Sequence, residues 1–98
     1  MWVIATDERA DSPFTFRILP GNIKTIGRAP GADFVVEAAL VSRIHCRLTA
    51  GASHIEVVDL DSTNGTYLNG ARVSRAIANP GDRLGIGKIE LVLSKSAN

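Results

Sequence analysis

Ser62-Thr63-Asn64-Gly65-Thr66-Tyr67-Leu68-Asn69-Gly70-Ala71-Arg72-Val73 is the stretch whose reading decides the fold. Two short runs, 66–68 and 71–73, flank Asn69-Gly70. Both central residues of a type I′ turn need positive φ, which asparagine and glycine tolerate, so this dipeptide predicts a two-residue β-hairpin. Ahead of it, residues 61–65 are small and polar, the composition of a loop.

The same punctuation continues outward in both directions. Nine glycines and four prolines cut the chain into short runs rich in β-branched and aromatic residues, as strands are. Such runs occupy 1–5, 14–18, 23–26, 34–36, 44–48, 55–60, 83–86 and 89–93. Phe14-Thr15-Phe16-Arg17-Ile18 alternates apolar with polar and reads as a half-buried strand. The run at 44–48 places Ile44, Cys46 and Leu48 on one face, and strict alternation puts His45 on the other. Helical signals are poor: residues 37–40 and 75–78 could each make one turn at most. About ten short strands predict an all-β sandwich of two twisted, mainly antiparallel sheets.

Ninety-eight residues predict one domain spanning 1–98. Hydrophobic residues make up 45% and charged residues 21%, which excludes a disordered tail, a collagen-like repeat and a disulfide scaffold. Eleven basic against ten acidic residues leave a net charge of +1, so no bulk field points to nucleic acid or an anionic membrane. The lone Cys46 needs no oxidising compartment, and the cytoplasm is the expectation. No apolar run approaches the ~20 residues of a membrane span. The first eight residues lack a basic leader and meet Asp7 and Glu8 early, unlike a signal peptide.

Three polar loops break the apolar pattern: Gly27-Arg28, Ser42-Arg43-Ile44-His45 and Ser62-Thr63-Asn64-Gly65. Between them they offer guanidinium, hydroxyl and amide donors, with no carboxylate pair. A planar guanidinium matches two oxygens of a phosphate at once. An anion or phospho-group site on the loops of a sandwich is therefore the chemistry they suggest.

These three blocks, in order and with their spacing, together with Asn79-Pro80-Gly81-Asp82-Arg83-Leu84-x-Ile86-Gly87, resemble a forkhead-associated (FHA) domain. The likeness runs from about residue 23 to residue 93. It implies an eleven-stranded β-sandwich with ligand loops at one end, which recognises phosphothreonine in partner proteins. By resemblance, Arg28 and Ser42 would contact the phosphate, Arg43 would add a second contact and Thr63 would complete the cradle. Asn64 would hold the peptide backbone beside the phosphothreonine. Gly27, His45, Gly65, Asn69 and Gly70 would shape the loops without touching ligand. A small pocket around Thr63, Asn64 and Gly65 would take the threonine methyl. The family reads the residue three after the phosphothreonine with variable loop residues. Leu40 and Val41 stand where an arginine would favour an acidic residue, so an aliphatic or weak preference is expected.

The expectation is a monomeric, non-enzymatic module with no cofactor; the charge balance, the lack of metal-ligand spacing and the absence of a long apolar run argue against nucleic-acid, metal and membrane partners. By resemblance its ligand would be a phosphothreonine-containing protein or peptide, and its role phosphorylation-dependent protein–protein interaction. The alternative is a phospho-independent scaffold within a larger signalling or secretion protein. A hydrolase built on Ser42 and His45 lacks an orienting acid and a glycine elbow. His45, His54 and Cys46 have no metal-ligand spacing. Gly85-x-Gly87 is too short for a dinucleotide fingerprint. Cys46 reads as a core residue, and His54 as a solvated turn residue.

Overall fold

The computed structural model describes residues 1–7, 10 and 13–96; Glu8, one of the two early acids, lies outside them. Among these residues eleven strands follow one another: β1 (Trp2–Thr6), β2 (Thr15–Ile18), β3 (Ile23–Gly27), β4 (Phe34–Val35), β5 (Cys46–Ala50), β6 (Ile55–Asp59), β7 (Thr66–Leu68), β8 (Ala71–Val73), β9 (Arg75–Ala78), β10 (Arg83–Ile86) and β11 (Ile89–Lys95). One six-stranded sheet has the order β2-β1-β11-β10-β7-β8, and a five-stranded sheet has the order β4-β3-β5-β6-β9. The β3–β4 pair runs parallel. The other pairs are antiparallel.

Alternation along the strands builds the core. Trp2 and Ile4 of β1, Leu84 and Ile86 of β10, and Leu91 and Leu93 of β11 are buried from the first sheet. Ile26, Leu48, Ile55 and Val57 join them from the second in one cluster. Each such side chain contributes about 1.5–3 kcal/mol by leaving water. Two contacts clamp the sheets to each other. The Trp2 indole N–H donates to the Gly51 carbonyl just beyond β5 at 2.9 Å. Phe16 of β2 stacks on Phe34 of β4, with ring centroids 4.6 Å apart.

The Asn69-Gly70 hairpin forms as its sequence predicts, with φ of 51° and 84° at the two positions. Asn69 also ties this turn to the start of β10. Its backbone N–H donates to the Arg83 carbonyl at 2.8 Å, and its Oδ1 accepts the Arg83 N–H at 2.9 Å.

Three local expectations are corrected. Residues 75–78 are strand β9, because pairing with β6 (Ile55 opposite Ala78, Val57 opposite Ala76) buries Ala78 in the core. Residues 37–40 form no helix and end in a turn in which Leu40 has φ 71°. The strand expected from residue 44 begins at Cys46, and alternation fails just before it. Ile44 is 37% exposed, whereas His45 and Cys46 are both at 0%. Cys46 is a core residue as expected. Burial, with help from the Asp59 carboxylate, pushes its thiol pKa up to about 12, which removes the thiolate as a reactive species. His54 is exposed in the β5–β6 turn.

Gly27 ends β3 where a second backbone crosses. A Cβ there would lie 2.1 Å from the Arg43 carbonyl oxygen and 2.8 Å from the Ile44 Cα. Gly31, in the following loop, has nothing within 4 Å of its Cβ position. Gly27→Ala is expected to cost about 3 kcal/mol or more, and Gly31→Ala no more than about 1 kcal/mol. Urea denaturation of the two variants beside the parent chain measures the contrast.

Candidate functional site

Register brings the three polar loops to one end of the sandwich. Ile26 pairs with Cys46 and Cys46 with Asp59. The C-terminal end of β3, the N-terminal end of β5 and the C-terminal end of β6 therefore coincide. The loops leaving that end hold Arg28, residues 36–45 and residues 60–65.

Backbone bonds lace the first two loops together. The Arg28 N–H donates to the Ser42 carbonyl at 2.9 Å, and the Ala29 N–H donates to the Arg43 carbonyl at 3.1 Å. The Arg28 side chain is itself anchored, since its Nε–H donates to the Val41 carbonyl at 3.1 Å. That bond uses the inner edge of the guanidinium and leaves both terminal nitrogens for a ligand. Arg28 is exposed.

His45 joins the second loop to the third. Its Nδ1 accepts the Ser42 N–H at 3.0 Å, and its Nε2 lies 2.8 Å from the Gly65 carbonyl oxygen. An N–H can only donate and a carbonyl can only accept, so the ring carries its proton on Nε2. Ser42 Oγ accepts the Thr63 N–H at 3.0 Å, which leaves the Ser42 O–H free to donate outward. The Asn64 amide donates from Nδ2 to the Leu40 carbonyl at 3.0 Å and holds that residue in its left-handed conformation. Gly87, in the β10–β11 turn, supports the same segment: a Cβ there would be 3.0 Å from the Ala39 oxygen and from the Leu40 carbonyl carbon.

Arg28, Ser42, Arg43, Thr63 and Asn64 thus come together around one open depression of about 340 Å³, whose remaining lining is Leu40 and Val41. No carboxylate lines it. The five residues expected from the sequence to face ligand are all on its wall. Gly27, His45 and Gly65 are buried behind that wall. Asn69 and Gly70 form the exposed tip of a different turn, away from the lining. Leu40 and Val41 appeared in the sequence only as the residues preceding Ser42. Their place in the lining is set by the turn at Leu40, which no local signal announces.

Behind the third loop, Asp59 gathers three donors. Ser62 Oγ–H and Thr66 Oγ1–H reach its Oδ1 at 2.5 and 2.6 Å, and the Ser62 N–H reaches Oδ2 at 3.2 Å. Ser62 Oγ in turn accepts the Gly65 N–H at 3.0 Å. Burial raises the Asp59 pKa, but the hydrogen bonds from Ser62 and Thr66 together outweigh it, and the carboxyl lies below its ordinary 3.8. Among the described residues no group of histidine, cysteine and carboxylate side chains could hold a metal, and no helix is long and apolar enough to cross a membrane.

A family model for the FHA domain matches residues 24–87, and the chain belongs to the FHA domain family. An ABC transporter ATP-binding/permease protein of Mycobacterium tuberculosis is 41% identical over 80 residues, which is 82% of this chain and 9% of that protein. Glycogen accumulation regulator GarA of the same species is 37% identical over 75 residues, 76% of this chain and 46% of that protein. The chain spans less than half the length of either relative. An FHA structure solved in a structural and functional analysis of phosphothreonine-dependent FHA domain interactions superposes with a TM-score of 0.82 at 27% identity, covering 99% of this chain and 98% of that one.

A carboxylate whose pKa is depressed on folding stabilises the fold above its unfolded pKa, and that contribution is lost as pH falls through the folded value. Asp59→Asn is therefore expected to be less stable than the parent at neutral pH. The gap should close as pH falls below 3.8 through the folded pKa of Asp59. Thermal melts of both proteins across that range check the sign.

Proposed function

We propose that this chain, residues 1–98 taken as one FHA domain, binds phosphothreonine peptides and so mediates phosphorylation-dependent protein–protein interaction. The observation that carries the reading is the convergence of Arg28, Ser42, Arg43, Thr63 and Asn64 on one depression without a carboxylate. The solved FHA domain studied for phosphothreonine-dependent interactions supports it.

A phosphothreonine brings about −1.5 to −2 charges and three acceptor oxygens at pH 7. The Arg28 terminal nitrogens, the Ser42 hydroxyl, the Arg43 guanidinium and the Thr63 hydroxyl are the donors we assign to it. Asn64 keeps its Oδ1 and one N–H for the peptide backbone, since the other N–H is committed to Leu40. Hydrogen bonds to a charged group contribute about 1.5–3 kcal/mol each. A few of them, less the freedom lost on association, suit micromolar binding at roughly −8 kcal/mol. The work assigned to these residues is binding alone; in this reading the module needs no cofactor and no nucleic acid, and it meets its partners in the cytoplasm.

The apolar part of the lining is Leu40 and Val41, with Gly65 buried behind. We assign the threonine methyl to the pocket around Thr63, Asn64 and Gly65 expected from the sequence, with Leu40 and Val41 beside it in the lining.

Arg28→Ala is expected to weaken a phosphothreonine peptide by about 2 kcal/mol, near 30-fold, with little loss of stability. Calorimetric titration reads this directly, and an unchanged affinity would remove Arg28 from the site. The same titration with phosphothreonine, phosphoserine and unphosphorylated versions of one peptide tests the pocket. One methyl in a shaped apolar site is worth about 1–3 kcal/mol, so the phosphothreonine form should bind at least about tenfold tighter than its phosphoserine twin. The unphosphorylated form should be the weakest of the three, and equal affinity across all three would defeat the proposed function itself.

A further inference from the structure

Over Gly65, one residue along the chain from Asn64 on the wall of the depression, stands a cation that the donor set above does not use. Arg72 lies in β8, the edge strand of its sheet, directly opposite Tyr67 of β7. Its side chain runs across the Gly65 backbone. A Cβ on Gly65 would lie 2.7 Å from Arg72 Nε, 3.0 Å from Cζ and 3.3 Å from Cδ. The absence of a side chain at residue 65 is therefore what lets the guanidinium settle there. Gly65 also has φ +91°, so the loop and the arginine both depend on glycine at this one place.

Arg72 is exposed, and among the described residues it has no ion pair and no hydrogen bond. Other surface arginines in the same half of the chain are matched. Arg75 is 3.8 Å from Glu56, and Arg83 is 2.9 Å from Glu90. The planar fork of Arg72 thus keeps its full donor capacity and sits against a residue adjacent to Asn64. Asn64 is on the wall of the depression. The Asn64 contact we assign to the peptide backbone is thus one residue from the place where Arg72 rests.

We infer that Arg72 is a second anion-reading position, which selects an acidic side chain in the residues flanking the phosphothreonine. This rests on the phosphothreonine reading above and adds sequence preference to it. The chemistry Arg72 recognises is a side-chain anion able to accept from a guanidinium, and both an aspartate or glutamate carboxylate and a second phosphate satisfy that. Being solvent-exposed, the contact is subject to screening and should weaken as salt rises.

The test is fluorescence anisotropy with a neutral phosphothreonine peptide and a set in which one flanking position at a time carries aspartate. A parallel set carries a second phosphothreonine at those positions. With the parent chain, at least one flanking position should give a gain of about fivefold or more at low salt, and the gain should shrink at high salt. In Arg72→Ala that gain should vanish while affinity for the neutral phosphothreonine peptide stays within about twofold. Arg72→Lys, which keeps the charge and loses the fork, should retain part of it and guards against a folding defect in the alanine variant. The arm with the larger gain identifies carboxylate or phosphate as the natural feature.

A gain that survives in Arg72→Ala overturns the inference, as does the lack of any gain in either arm. If Arg72→Ala weakens every peptide equally, the side chain only props the Gly65 loop, and the inference also fails. These failures differ from failure of the phosphothreonine reading, in which the neutral peptide would bind no better than its unphosphorylated form.

Discussion

His45 is completely buried and spends both ring nitrogens on backbone groups of the two loops it separates, the Ser42 N–H and the Gly65 carbonyl. Its own backbone is committed as well. The His45 N–H donates to the Ile26 carbonyl at 2.8 Å, and its carbonyl accepts the Leu60 N–H at 3.0 Å. Four bonds from one residue therefore fix the end of β3, the loop carrying Ser42 and the loop carrying Thr63 and Asn64 relative to one another. A buried polar ring is tolerable only when every polar atom is matched. No buried side-chain nitrogen or oxygen among the described residues lacks a partner. The imidazole also explains why strand alternation fails at this point. To reach Gly65 the side chain must turn inward beneath the loops, leaving Ile44 to face water.

From that brace the constraint spreads outward. Ser42, fixed through its N–H, presents Oγ to the Thr63 N–H, and the loop bearing Thr63 is held from behind by Asp59 through Ser62. Leu40 sits at φ 71°, a conformation that disfavours side chains with a Cβ and persists only when surroundings over-determine it. The Asn64 amide and the Gly87 backbone do so here. The strained residue faces the depression, and the groups that hold it come from two other loops.

The parts of this structure that were legible in the sequence are those that local chemistry decides. Asn69-Gly70 could be read because its φ requirement belongs to two residues. Alternation in β2 and β5 could be read because each buries one face. By contrast, β9 owes its conformation to β6, a partner seventeen or more positions away in register, such as Val58 opposite Arg75. Nothing within Arg75-Ala76-Ile77-Ala78 favours a strand over a helical turn. The site divides in the same way. Its donor types were visible as residues, and the resemblance named five of them, but their convergence depends on the pairing of Ile26, Cys46 and Asp59 across three strands. The lining by Leu40 and Val41 depends on a turn held entirely from outside its own sequence.

A division of labour follows from where the bonds lie. The residues on the wall of the depression give their backbones to the fold and keep their side-chain donors outward: Arg28 commits only Nε, Ser42 only the acceptor side of its hydroxyl, and Asn64 one N–H. The residues behind the wall give their side chains to the fold and are buried, as His45, Ser62 and Thr66 are. Under the proposed function, substitutions on the wall are therefore expected to change binding with small effects on stability. Those behind it are expected to move stability and binding together, because an unmatched buried partner costs about 1–3 kcal/mol and displaces the loop that it held. Donors already fixed before ligand arrives lose little freedom on binding. In the function proposed here, that is how a shallow, open surface would hold a phosphate without enclosing it.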